Sequence, residues 1–227
     1  MQYELLSSGS FMMLKVKLEN GESIKAEAGA MVAVSPTIEV SGRLEGGIIR
    51  GLARTLAGEK FFFQQLTASR GPGEALLAPA LPGEIFAIPL DGRTDYLVQK
   101  DGFLAATAEI EVSTKIQNLL KGLFSGEGFF VLKASGLGTL FVNSFGAILP
   151  LDIPSGQELV IDNGHLVAWP ASADYSIEKA ARGWISSITS GEFLVLRFRG
   201  PARVLIQSRN PHAFAAWIAD MLPRSRS

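Results

Sequence analysis

The 227-residue chain sets 21 Lys and Arg against 22 Asp and Glu, for a formal net charge of −1, with 47% hydrophobic residues, 19% charged residues and no cysteine. This composition excludes a disordered chain and, through the missing cysteine, a disulfide framework, a thiolate nucleophile and a thiolate metal site. With a pI of about 6.2, it also lacks the basic balance of a dedicated nucleic-acid binder.

From the N-terminus onward, Met1 to Ser8 has neither the basic region nor the long apolar core of a secretory signal. No run approaches the roughly 18 apolar residues that span a bilayer, and Phe145–Leu151 is cut by Pro150 and Asp152. The expected location is cytoplasmic. A mean hydropathy of +0.24 leaves much apolar surface to hide in a core or against a partner.

Leu14, Val16 and Leu18 alternate with Lys15, Lys17 and Glu19, the period of a half-buried strand. Asn20-Gly21 predicts a two-residue hairpin turn, because both central positions of a type I′ turn favour φ > 0. The return strand would then point Ile24, Ala26 and Ala28 inward. Residues 129–133, 140–143, 193–199 and 204–208 read as further strands, and such short strands bounded by Gly and Pro indicate an all-β sandwich or barrel. At the end, Asn210-Pro211 forms a helix start. Phe214, Trp217, Ile218, Met221 and Leu222 follow at helical spacing until Pro223. The helix is expected to lid the sheet by core packing.

One block recurs three times. Its opening is Ala28-Gly29-Ala30-Met31-Val32-Ala33, then Asp101-Gly102-Phe103-Leu104-Ala105, then Asn163-Gly164-His165-Leu166-Val167-Ala168. Gly58-Glu59, Gly126-Glu127 and Gly191-Glu192 follow after 29, 24 and 27 residues, each leading into an apolar run. Glycine turns come next at Gly71-Pro72-Gly73, Gly136-Leu137-Gly138 and Gly200-Pro201. The first two copies close on Ile88-Pro89-Leu90-Asp91 and Leu149-Pro150-Leu151-Asp152, and the third does not. The chain therefore divides into modules at 1–92, 93–157 and 158–227, each too small to be expected to stand alone.

Before every Gly-Glu step lies a segment with helical spacing, basic residues and a central glycine: 48–56, 116–124 and 180–188. Their candidate contact residues are Ile48, Ile49, Arg50, Leu52, Arg54, Leu119, Leu120, Lys121, Leu123, Phe124, Arg182, Trp184 and Ile185. Under pseudo-threefold symmetry these would gather as a basic, apolar collar for a partner, another subunit or a membrane surface; filling of the module interfaces is the alternative.

The stretch Ser41-Gly42-Arg43-Leu44-Glu45-Gly46-Gly47, then Arg50-Gly51-Leu52-Ala53-Arg54, Gly58-Glu59 and Phe61-Phe62-Phe63, with the threefold plan, resembles bacterial relatives of the altered-inheritance-of-mitochondria biogenesis proteins. The resemblance covers nearly the whole chain. It implies β-sandwich modules of a double-stranded β-helix type, similar in shape to the trp RNA-binding attenuation protein. It implies no catalytic residue, and no Arg-rich transit peptide is present. The third repeat departs from the pattern, with a helix in place of the Pro-Leu-Asp motif.

Chemistry is sparse. The two histidines, His165 and His212, are far apart in sequence, and neither a Gly-x-Ser-x-Gly elbow nor a His-Glu-x-x-His metal motif nor a P-loop occurs. Glu59, Glu127 and Glu192 could ring an axis and bind a cation through oxygen, but a solvated turn into a strand is the favoured reading. Residues 158–227 hold eight basic and six acidic side chains. Arg197, Arg199, Arg203 and Arg209 form a candidate RNA face, with Phe198 turned to the opposite side.

The expectation is an all-β protein of three β-sandwich modules in a pseudo-threefold arrangement with a short C-terminal helix. It is expected to be a non-enzymatic binding or scaffold protein without cofactor, metal or small-molecule substrate. Self-association and a protein or membrane-surface partner are expected. RNA binding through the basic strand face is the alternative, although the balanced charge disfavours nucleic acid.

Overall fold

The computed structural model describes residues 1–44, 47–48, 62–117, 129–179 and 194–222. The described residues form an all-β fold with one short α-helix. β1 (Gln2–Leu6), β2 (Met13–Leu18), β3 (Ser23–Glu27), β4 (Met31–Val34), β5 (Glu39–Leu44), β6 (Gly47–Ile48), β7 (Phe62–Thr67) and β8 (Gly73–Leu77) come first. β9 (Ile85–Asp91), β10 (Tyr96–Gln99), β11 (Phe103–Thr107), β12 (Glu111–Gln117), β13 (Phe129–Ser135) and β14 (Leu137–Asn143) follow. β15 (Ile148–Ile153), β16 (Glu158–Asp162), β17 (Leu166–Pro170), β18 (Asp174–Lys179), β19 (Leu194–Arg199) and β20 (Ala202–Gln207) precede helix α1 (Pro211–Met221).

The strands form four antiparallel sheets. The first runs β1-β2-β8-β4, the second β6-β5-β7-β3-β11-β14-β9, the third β12-β13-β10-β17-β20-β15 and the fourth β16-β19-β18. One pairing plan appears three times: β2-β8-β4 with β3-β7-β5, β9-β14-β11 with β10-β13-β12, and β15-β20-β17 with β16-β19-β18. Two joints link these blocks, β3 to β11 and β10 to β17. A pseudo-threefold ring needs a third joint, β16 to β4, and no such pair occurs among the described residues. Pairing also puts Ile85–Asp91 and Ile148–Ile153 at the start of the second and third blocks, where the repeat pattern had put their Pro-Leu-Asp motifs at the close of the first and second.

Three apolar cores lie between successive sheets. Leu14, Val16 and Leu18 of β2 meet Ile24, Ala26 and Leu66 between the first and second sheets. Ile88, Leu90, Leu140 and Val142 meet Val98, Leu132 and Ala134 between the second and third. Trp169, Leu166 and Val204 meet Leu196 and Phe198 between the third and fourth. Trp169 is fully buried and stands edge-on to Tyr175 at 5.7 Å and Phe198 at 5.8 Å.

The alternation at 14–18 makes a strand, but Asn20-Gly21 does not close a hairpin. β2 pairs with β1 and β8, and β3 pairs with β7 and β11. Gly21, at φ +85°, instead turns the chain from one sheet to the facing one. The apolar sides of both strands thereby reach the same core. β3 stops at Glu27, so Ala28 is exposed and Ala30 is the buried residue. Within the segment 116–124, Ile116 and Gln117 continue β12 opposite Phe130 and Phe129; the strand ladder overrides the helical spacing there, and the remainder lies outside the described residues.

Candidate contact surfaces

Asn210 is extended, and its side-chain oxygen accepts from the backbone N–H of His212 (2.9 Å) and Ala213 (3.2 Å), which caps α1 as its sequence indicates. The helix does not lid the sheet. It is held at its first turn, where Phe214 lies 5.1 Å from Phe145 and Asn210 donates to Asp162. From His212 to Leu222 every residue is exposed. Phe214 stacks on Trp217 at 5.8 Å. Trp217, Met221 and Leu222 are 55%, 64% and 62% exposed, and Ile218 lies on the same face. The sheets already cover one another's apolar faces, so the stripe is left outward.

Beside the start of α1 is a polar cleft of about 80 Å³ lined by residues including Gln99, Asp101, Asn143, Asn163, Gly164 and Gln207. Its groups hold one another. Gln207 donates to the Gly164 carbonyl (2.9 Å) and accepts from the Phe145 N–H (2.8 Å); Asn143 donates to the Asp101 carbonyl (3.1 Å). His165 Nδ1–H donates to the Gln207 carbonyl at 2.8 Å, since a carbonyl can only accept. This volume accommodates a few waters at about 30 Å³ each. Among the described residues, no three His, Asp or Glu side chains are grouped to hold a metal ion.

At the nearby joint, burial and the negative charge of Asp101 push the Glu27 carboxyl up to about 7. A raised acid favours the protonated folded state, so the wild type loses stability as pH rises from about 4.5 to about 7. Glu27→Gln removes that dependence. Its unfolding free energy in urea is expected to match the wild type at pH 4.5 and exceed it at pH 8 by about 1–2 kcal/mol after discounting for residual solvent, with the midpoint shifting accordingly. Equal midpoints at both pH values would contradict this.

The arginine face is reorganised by its neighbours. Arg197 and Arg199 project from β19, with Phe198 between them buried in the third core. Arg197 Nε lies 2.9 Å from Glu178 Oε1 and its Nη1 3.2 Å from Glu158 Oε2. Arg199 reaches Glu158 at 3.0 Å and Asp174 at 3.4 Å. The hydrogen bond from Arg197 holds the Glu178 carboxyl below its usual range. Two guanidiniums thus meet three carboxylates, which leaves no excess positive charge for a phosphate chain. Arg203 belongs to the third sheet and holds Asp152 in a two-pronged pair at 2.6 and 2.7 Å; Arg209 sits in the turn after β20. The four do not form one RNA-binding patch, because cross-strand acids on β16 and β18 pair the first two and a different sheet carries the third. The register of those acids opposite β19 was the missed signal.

Of the collar residues, Ile48 lies in β6, paired with Arg43; the others lie outside the described residues, as do Glu59, Glu127 and Glu192. Sequence reasoning also passed over Met31 and Val32 of β4, which are 39% and 54% exposed. No helix among the described residues is long and apolar enough to cross a membrane.

Comparison with known proteins matches residues 3–209 to the family model described as mitochondrial biogenesis AIM24. An uncharacterized Streptococcus pyogenes protein is 34% identical, covering 99% of this chain and 92% of that protein. The altered inheritance of mitochondria protein 24 of Verticillium alfalfae is 29% identical over 75% of this chain and 44% of its own length. A crystal structure of a Streptococcus pyogenes protein superposes with a TM-score of 0.79 at 32% identity, covering 97% of this chain and 99% of that one.

Proposed function

The chain belongs to the mitochondrial biogenesis AIM24 family, and from that premise we propose that it is a non-enzymatic contact protein that docks on a lipid surface through the apolar face of α1. The observation that carries this reading is the exposure of Phe214, Trp217, Ile218 and Met221 on one side of an 11-residue helix, with exposed Leu222 directly after it. A helix of that length lies in a membrane interface rather than across it. Trp217 suits the headgroup level, and Arg224 and Arg226 follow in the sequence to favour anionic lipid. Burying the exposed parts of five large apolar side chains yields on the order of 5 kcal/mol, enough for reversible attachment and far from permanent anchoring. The non-enzymatic part of the reading is supported by His165 Nδ1 and Ser144 Oγ, which donate to the backbone carbonyls of Gln207 and Gly146.

Flotation with vesicles of anionic and of neutral phospholipid tests the proposal. The wild type is expected to float with anionic vesicles. Trp217→Ser combined with Met221→Ser should lower the bound fraction about tenfold, with an unchanged melting temperature because both sites are exposed. A wild type that ignores both vesicles, or a variant that floats equally well, would overturn it.

A further inference from the structure

The two joints inside the chain are built alike. In each, a strand carrying a bulge accepts the second strand of the preceding block. The bulge falls between Phe103 and Ala105 in β11, between Leu166 and Ala168 in β17, and between Met31 and Ala33 in β4. These steps make Ala33 the counterpart of Ala105 and Ala168, and Val34 that of Ala106 and Trp169. Pairing with β7, β13 and β19 makes Ile161 the counterpart of Ala26 and Val98, and Val160 that of Lys25 and Leu97.

Both joints then show one register. Ala105 faces Ala26 and Ala106 faces Lys25; Ala168 faces Val98 and Trp169 faces Leu97. Each joint also passes three side chains into the preceding block's core. Leu104, Ala105 and Phe141 of the second block sit in the first core. Val167, Ala168 and Leu205 of the third sit in the second core.

The ends of this series are complementary and unused. Among the described residues, β16 has only β19 beside it, and no strand from a further block enters the third core. β4 likewise has only β8 beside it among the described residues. Its trio of Val32, Ala33 and Leu76 is exposed or half-buried, where both counterpart trios are buried. Four other edges carry devices against pairing, Pro89 in β9, Pro150 in β15 and charges along β12 and β18, while β16 confines its charges to its two ends, Glu158 and Asp162. β4, reading Met-Val-Ala-Val, carries neither proline nor charge.

We propose that β4 of one copy of this chain receives β16 of a second copy, in the register Ala33 to Ile161 and Val34 to Val160, so that copies join head to tail by repeating the internal joint. The contact is heterologous, and the resulting assembly is a ring if the rotation closes and an open array if it does not. Val32, Ala33 and Leu76 of one copy enter the third core of the next. This goes beyond the lipid-docking reading and uses neither α1 nor its apolar face.

Because the sequence has no cysteine, engineered thiols give an unambiguous readout. Val34→Cys and Val160→Cys would be made in separate chains with different tags, mixed and mildly oxidised. Directly opposed residues in an antiparallel pair lie within disulfide reach, so a mixed-tag dimer is expected, and a chain carrying both thiols should give higher multimers. A doubly substituted chain that cross-links only within itself would show that β4 and β16 meet in one copy, and would overturn the proposal. Absence of any mixed-tag dimer would overturn it too. Val32→Lys is the second measurement. Its site is open in the single chain, so its melting temperature should hold while self-association in sedimentation weakens about a hundredfold. Wild type that sediments as a monomer, or a variant that associates equally, counts against the joint.

Discussion

Trp169→Ala is expected to lower folding free energy by about 4 kcal/mol, one of the two largest single-site losses we anticipate in this chain. The indole is fully buried on β17, in the third sheet, and meets Tyr175 of β18 and Phe198 of β19 in the fourth. Removing it opens a cavity that backbone ladders on both sides keep from collapsing. It also forfeits two edge-on ring contacts, at about 0.5–1.5 kcal/mol each beyond their area. Urea unfolding measures the difference. Trp169→Phe, which keeps a ring in the same place, should recover about half of it. A loss under about 1 kcal/mol would mean that the fourth sheet is not held by this cluster.

The second large effect arises without any side chain. Gly83 bridges Phe11 on one side and Gly146 on the other, and its carbonyl accepts from Met12 N–H at 3.3 Å. A Cβ placed there would lie 1.6 Å from the Ser144 carbonyl oxygen. Gly83→Ala must therefore push apart two backbones that β9 and β14 otherwise hold, at a cost of about 3 kcal/mol or more. Gly156→Ala is the contrast, because nothing lies within 4 Å of its Cβ and only its φ of +78° is strained. It should cost about 1 kcal/mol. Equal losses from the two, measured by urea unfolding, would refute the close-approach argument.

Strand periodicity was legible because it records which side of a strand meets a core, as at Leu14, Val16 and Leu18. Which sheet a strand joins was not, since the Asn20-Gly21 signal is the same whether the chain folds back beside itself or crosses to a facing sheet. Repeats have a period but no intrinsic starting point. Ile88-Pro89-Leu90-Asp91 and its later copy follow the glycine turns and so read as the close of a block, yet β9 and β15 pair forward with β14 and β20. After the third block the chain enters α1 instead of another such strand, so the third copy lacks the motif. The arginines of β19 read as a basic face because their partners, Glu158, Asp174 and Glu178, are 19 to 41 residues away in sequence. The cap of α1 was visible in Asn210-Pro211. The outward aim of its stripe was not, because helical spacing shows that a face is apolar and not what covers it.

The joints have a further consequence for how this chain can be shortened. The second sheet takes β7 from one block and β14 from the next, and the third sheet takes β13 and β20 in the same way. Trimming the chain after Gly92 or after Gln157 would split a shared sheet down its middle and strip Ala105 or Ala168 from a neighbour's core. No excision between blocks frees a self-contained piece. The smallest fragment expected to hold together has its ends outside a joint, so a deletion series should be designed around sheets rather than around sequence repeats.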